Sequence, residues 1–161
     1  MGVGKGSVAR EVVKQSGMIA VDTDDIIESM ENRRIKKIFK EEGEAYFRSL
    51  ESKVAKWLQT SVTDTLISTG GGFYKVDQLN KIGTVVLLHA KFNTIYQRII
   101  EHPNAKRKLK KRPLFQEIDK ARDLYDARES AYIKQADIVI DVTGKTVDKI
   151  AKELLKKVKK R

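Results

Sequence analysis

The 161-residue sequence contains no cysteine. That excludes a disulfide framework, thiolate metal sites and a cysteine nucleophile, and it suits a reducing cytosol. Long apolar runs are missing too. No stretch approaches the roughly 18 consecutive apolar residues of a membrane span, and no charged-then-apolar leader opens the chain. The expectation is a cytoplasmic protein with no membrane partner. Only two prolines occur, Pro103 and Pro113, and they bracket one basic segment. Without a repeat, low-complexity tract or Pro/Ser-rich linker, the economical reading is one domain over residues 1–161 with one mobile loop. Acid is in short supply. The 33 Lys and Arg against 22 Asp and Glu leave a formal charge of +11, which favours anionic partners. The excess gathers at 106–112 and 152–161, and the second run reads as a solvated helix end. A nucleic-acid surface would interleave aromatics with its cations. The run from Lys106 to Arg112 has none, so a small phosphorylated ligand is the better-supported anion.

Forty per cent of the residues are apolar, and their spacing sorts into elements. Val8, Val12 and Val13 predict a helix from the opening glycines to about Ser16. Met18 to Val21 is a short apolar run that ends at Asp22, the pattern of a buried strand. Residues 43–60 carry Phe47, Leu50, Val54, Trp57 and Leu58 on one helical face, which assigns Trp57 to the core. Strands are expected at 65–68, 84–88 and 138–140, and helices at 92–100, 118–134 and from Val147 to the end. Unbroken apolar strands alternating with helices imply a parallel sheet covered on both faces, an α/β layer fold. Ligands in such sheets gather at the carboxyl ends of the strands, where Asp22, Gly70-Gly71-Gly72 and Asp141 fall.

Four stretches carry candidate chemistry. The opening MGVGKGSV supplies the latter half of G-x-x-x-x-G-K-[ST], with Gly2, Val3, Gly4 and Lys5 running into a predicted helix. Such a loop cradles phosphate with backbone N–H groups and a lysine. VDTDD at 21–25 places carboxylates beyond a strand, where they can hold Mg²⁺ through water or accept a proton from an attacking hydroxyl. It also reads as a helix cap. Arg48 and Glu51 sit on neighbouring turns of one helix, and a solvent-exposed ion pair is their plain reading. Three consecutive glycines after a strand contribute no packing, so they make sense where backbone must approach a ligand closely.

These residues resemble the shikimate kinase family. The resemblance runs over nearly the whole chain, through GVGK, VDTDDIIE, IKKIFKEEGEAYFRSLE, ISTGGG, KRPL, LYDARESAY and ADIVID, in the family's order. Gluconate and nucleoside monophosphate kinases share the phosphate loop, but not the pairing of D-T-D with G-E-x-x-F-R, a triple glycine and R-P-L. The resemblance implies a three-layer αβα P-loop kinase fold. It implies ATP-dependent phosphorylation of the 3-hydroxyl of shikimate on the route to chorismate and aromatic amino acids, with Mg²⁺, in a monomer. It implies that Asp24 holds the shikimate hydroxyls and acts on the attacking one, while Asp22 orients Mg²⁺ through water. By the same resemblance Arg48 and Arg128 would clamp the substrate carboxylate, a task suited to a guanidinium fork. Gly71 and Gly72 would offer backbone N–H groups, and Phe39, Phe47 and Pro113 would wall the ring. Lys5 and Arg112 would neutralise the phosphoryl group in transfer, Arg112 on a lid at about 102–116. Gly2 to Ser7 would form the nucleotide loop, and Arg98 with the loop after Asp141 would flank adenine.

Two departures from the family pattern stand out. Gly6 occupies the position of the Ser or Thr that ligates Mg²⁺ in the family, with Ser7 following. Adenylate kinases have Gly-Lys-Gly-Thr, so Ser7 is the candidate to serve phosphate or metal here. The family's parallel sheet also has five strands, and its first, central strand leads into the loop's first glycine, about ten residues absent from this sequence. The expectation is that its neighbours lose their partners, at ~1–3 kcal/mol per unsatisfied buried group, so that the chain is poorly stable and weakly active. The rival readings are another small-metabolite or nucleotide kinase, which needs a different acceptor pocket, a basic nucleic-acid-binding module, and a catalytically dead fragment.

Overall fold

The computed structural model describes residues 2–110, 115 and 117–159. Helix α1 (Lys5–Ser16) runs into strand β1 (Ile19–Asp22), followed by α2 (Thr23–Glu31), α3 (Ile35–Ser61) and β2 (Thr65–Ser68). Two single 3₁₀ turns at Phe73–Lys75 and Leu79–Lys81 lead to β3 (Val86–His89). Then come α4 (Phe92–Ile100), α5 (Ala105–Lys110), α6 (Ile118–Gln135), β4 (Ile138–Asp141) and α7 (Val147–Lys159). The elements expected from apolar spacing are all present. Those that spacing misses are α2, α5 and the first turns of α3. Gly43, at φ 81° and ψ 178°, breaks the helical geometry inside α3, which is why periodicity registers only the part that follows it.

The strands pair in parallel. Ile19 to Asp22 lie opposite Thr65 to Ser68, and Val86 to His89 lie opposite Ile138 to Asp141. Side chains alternate across the sheet as strand geometry requires. Leu66 packs against a core built from α1, α4 and α7 with Val8, Val12, Ile95, Ile99 and Ile150. Its neighbour Ile67 packs against a second core built from α2 and α3 with Ile27, Ile38, Val54 and Leu58. Trp57 belongs to neither and is 44% exposed. It lies about 100° round α3 from Leu58, at the margin of the buried stripe, which corrects its assignment to the core.

The sheet is in two two-stranded pieces, β1–β2 and β3–β4. No ladder joins β2 to β3 among the described residues, so the expectation of unpaired facing edges holds. A cavity of about 250 Å³ separates them, lined by Thr65, Ile67, Val85 and Leu87 from the two sides, with Val3 and Lys5 at its margin. The halves are tied through the helices. α1 packs on β1, on β2 and along α7, which in turn packs on β4.

Candidate active site

The residues before α1 form a packed turn. Val3 is buried in the first core, and Gly2, at φ 64°, lies so close to Ile95 and Ile99 that a Cβ would sit 3.0 Å from each. Gly4, at φ 99°, takes the N-cap position, and its carbonyl accepts from Ser7 N and Val8 N at 3.0 Å. Among the described residues no side chain caps α1, and no acid occupies its first turn. A helix N-terminus left open in this way attracts anions. Lys5, Gly6 and Ser7 are exposed there.

β1 delivers Asp22 to the start of α2, where its Oδ1 accepts from Asp24 N at 2.9 Å. That cap sets Asp24 in the first turn. Between them Thr23 is fully buried, and its Oγ1 accepts from Gly70 N at 3.1 Å, binding α2 to the glycine turn beyond β2. The Asp24 carboxylate lies against Gly70, where an added Cβ would meet Oδ1 at 2.5 Å. Burial pushes the Asp24 carboxyl up to about 6, helped by the charges of Asp22 and Glu51 and opposed by Lys5. A carboxyl so placed changes protonation near neutral pH, as a proton acceptor should.

Arg48 reaches the same turn from α3. Its Nε and Nη2 donate to Glu44 at 3.0 and 2.8 Å, its Nη1 donates to Glu51 Oε2 at 2.5 Å, and its Cζ stands 5.5 Å from the Phe47 ring centroid. Gly72 lies directly beneath the guanidinium, where an added Cβ would meet Cζ at 2.6 Å. The pair is not the exposed one expected. Glu51 is 1% exposed and Arg48 is half-buried. Glu51 lies one turn from both Phe47 and Val54, on the face that α3 turns to the second core. Its Oε1 is buried without a hydrogen-bond partner among the described residues. Phe39 packs on Phe47 with ring centroids 4.6 Å apart, Phe47 buried and Phe39 exposed.

α6 closes the other side. Arg128 Nη1 and the Tyr132 hydroxyl both donate to the Gly71 carbonyl, at 3.3 and 2.5 Å. Arg48 and Arg128 both act electrostatically on Tyr132 and on Glu44, so the two guanidiniums share one neighbourhood. Farther off, Arg98 of α4 donates to Val142 O at 3.0 Å, fixing it against the turn after β4. Asp22, Asp24, Arg48, Gly71, Gly72 and Arg128 thus converge, with Lys5 beside them. Arg112 and Pro113 lie outside the described residues. Sequence spacing misses Thr23, Tyr132 and the burial of Glu51. A carboxylate four residues after Phe47 on an apolar stripe is the available sign of the last, because ionised groups are almost never fully buried unpaired.

Residues 1–159 match the family model described as shikimate kinase. The chain belongs to the shikimate kinase family. It is 36% identical over 155 residues to a shikimate kinase of Helicobacter hepaticus, spanning 96% of this chain and 89% of that one. It is 37% identical over 164 residues to one from Bacillus mycoides, spanning 98% and 93%. The solved shikimate kinase of Acinetobacter baumannii in complex with shikimate superposes with a TM-score of 0.82 at 28% identity, over 99% of this chain and 89% of that one. The structure from Aquifex aeolicus gives 0.76 at 27%, over 99% and 92%. The architecture is therefore the three-layer αβα P-loop kinase fold of the shikimate kinases.

Proposed function

We propose that this chain transfers the γ-phosphoryl group of ATP to the 3-hydroxyl of shikimate, giving shikimate 3-phosphate for chorismate and aromatic amino acid biosynthesis. The observation that carries this is the meeting of one carboxyl of raised pKa, two guanidiniums and a triple-glycine turn beside an open helix N-terminus and its lysine. In this reading Arg48 and Arg128 hold the shikimate carboxylate, and Gly71 and Gly72 present backbone to the ring. Phe39, Phe47 and Pro113 wall the ring on its apolar side. Asp24 orients the hydroxyls and accepts the proton of the one that attacks. Lys5 and Arg112 stabilise the equatorial oxygens as charge spreads over them, the electrostatic work on which phosphoryl transfer depends. The backbone from Gly2 to Ser7 cradles the nucleotide phosphates, Arg98 flanks the base, and residues 102–116 serve as the lid of a single domain.

Mg²⁺ keeps several waters and takes one or two carboxylates along with phosphate oxygens. Among the described residues no group of three or more potential ligands forms a metal cage, and Asp22, beside Asp24 at the head of α2, suits the water-mediated role. Ser7 is the candidate direct ligand, with Gly6 at the family's ligand position. Bound there, Mg²⁺ would neutralise phosphate charge. We place the protein in the cytoplasm as a monomer; no described helix is long and apolar enough to cross a membrane. A coupled ADP-release assay with Mg²⁺-ATP, with and without shikimate, tests the reading. Release that depends on shikimate is the expected result, and release indifferent to it contradicts the acceptor assignment.

A further inference from the structure

Helix α6 is weakly seated by apolar contacts. Of its 18 residues only Ala121 is buried, yet it carries Arg128. Its inward face holds Tyr125, Arg128, Glu129 and Tyr132, the i, i+3, i+4, i+7 spacing that puts side chains on one side of a helix. Those four residues face two different parts of the sheet. Arg128 and Tyr132 reach the Gly71 carbonyl, on the β1–β2 side. Tyr125 and Glu129 reach the end of β3 instead. His89 Nε2 lies 2.6 Å from Glu129 Oε1, and the Tyr125 hydroxyl lies 2.8 Å from that oxygen and 2.9 Å from Ala90 O. α6 therefore spans the break between the two halves of the sheet on polar contacts.

The donors and acceptors assign the protons. The ionised Glu129 Oε1 only accepts, so His89 donates to it from Nε2, while the single Tyr125 proton is shared between Glu129 Oε1 and Ala90 O. Arg122, one turn earlier, donates to Asn93 at 2.8 Å and lies 4.8 Å over the Phe92 ring. That fixes the start of the helix; its rotation at Arg128 is held from the β3 side by the His89, Tyr125 and Glu129 contacts and from the glycine turn by Tyr132. A roll that displaces a substrate-clamping group by about 1 Å is enough to cost ~100-fold in rate.

We propose that His89, Tyr125 and Glu129 are positioning residues that set the orientation of Arg128 toward a carboxylate-bearing acceptor. This rests on Arg128 binding the shikimate carboxylate. The test is steady-state kinetics with both substrates on Glu129→Ala, Glu129→Gln, Tyr125→Phe, Arg128→Ala and the double variant Glu129→Ala/Arg128→Ala. Glu129→Ala and Tyr125→Phe raise the shikimate KM about tenfold, the worth of one charge-assisted hydrogen bond, and leave the ATP KM within about twofold. Glu129→Gln, which still accepts from His89 and Tyr125, restores most of the affinity. In the Arg128→Ala background the Glu129→Ala change adds nothing, because the group through which it acts is gone. Equal rises in both KM values, or a full multiplicative effect in the double variant, would overturn positioning in favour of general destabilisation. So would an unchanged shikimate KM in Tyr125→Phe, which serves if Glu129→Ala fails to fold. An Arg128→Ala chain that binds shikimate normally would instead remove the underlying assignment, and the proposal with it.

Discussion

Replacing Asp24 by Asn separates what the site costs from what it does. The carboxyl is raised from 3.8 to about 6 by burial and by the charges of Asp22 and Glu51. The difference corresponds to about 3 kcal/mol at ~1.4 kcal/mol per pKa unit, and screening of a partly exposed group reduces this to about 2 kcal/mol. The sign follows from linkage. A carboxyl whose pKa is higher in the native state binds protons more tightly there, so stability falls as pH rises from about 4 to about 6 and the full penalty stands above that. Asn carries no charge at any pH. Urea unfolding should therefore find Asp24→Asn more stable than the parent by about 2 kcal/mol at pH 8, with the gain shrinking toward zero near pH 4. The same change should lower kcat by a factor of ~10² to 10⁴, the usual worth of a positioned base. A variant less stable than the parent at pH 8, or a gain that persists undiminished at pH 4, would refute the electrostatic account of this carboxyl.

Three further outcomes follow from the same geometry. Glu51→Gln removes a like charge from beside Asp24, so the acid limb of the kcat/KM profile for shikimate should move to lower pH; a limb that moves up or stays put counts against the coupling. Gly72→Ala adds a Cβ that collides with the Arg48 guanidinium, while φ at −103° suits alanine. Arg48 Nη1, the atom displaced, is also the partner of buried Glu51, so the shikimate KM should rise about tenfold or more and stability should fall by more than about 1 kcal/mol as that buried pair is disturbed; an unaffected KM, or unchanged stability, would show that the contact is misjudged. Gly6→Ser places a hydroxyl at the family's Mg²⁺-ligand position and should lower the Mg²⁺ concentration needed for half-maximal turnover. An unchanged Mg²⁺ requirement would mean that Gly6 does not alter metal binding.

Much of this is legible in the chain because short parallel strands and amphipathic helices write their periods directly. Thr65–Ser68 and Phe92–Ile100 fall where spacing puts them, and the glycine turn falls at a strand end. Motif residues that act through local geometry are legible for the same reason: Asp22 caps the helix that carries Asp24. What escapes depends on contacts distant in sequence. Trp57 has the right period and too large an angular offset. Glu51 looks like half of a surface pair until the second core closes over it. The joining of His89 to Glu129 across 40 residues has no local pattern at all.

The identity of the phosphorylated product decides the acceptor. ³¹P NMR of a reaction containing this chain, Mg²⁺-ATP and shikimate should show ADP together with one new phosphomonoester, whose proton coupling places it on the 3-oxygen of shikimate. An ester on another oxygen, or ATP consumed with only inorganic phosphate formed, would contradict the assignment of Asp24, Arg48 and Arg128 to that acceptor.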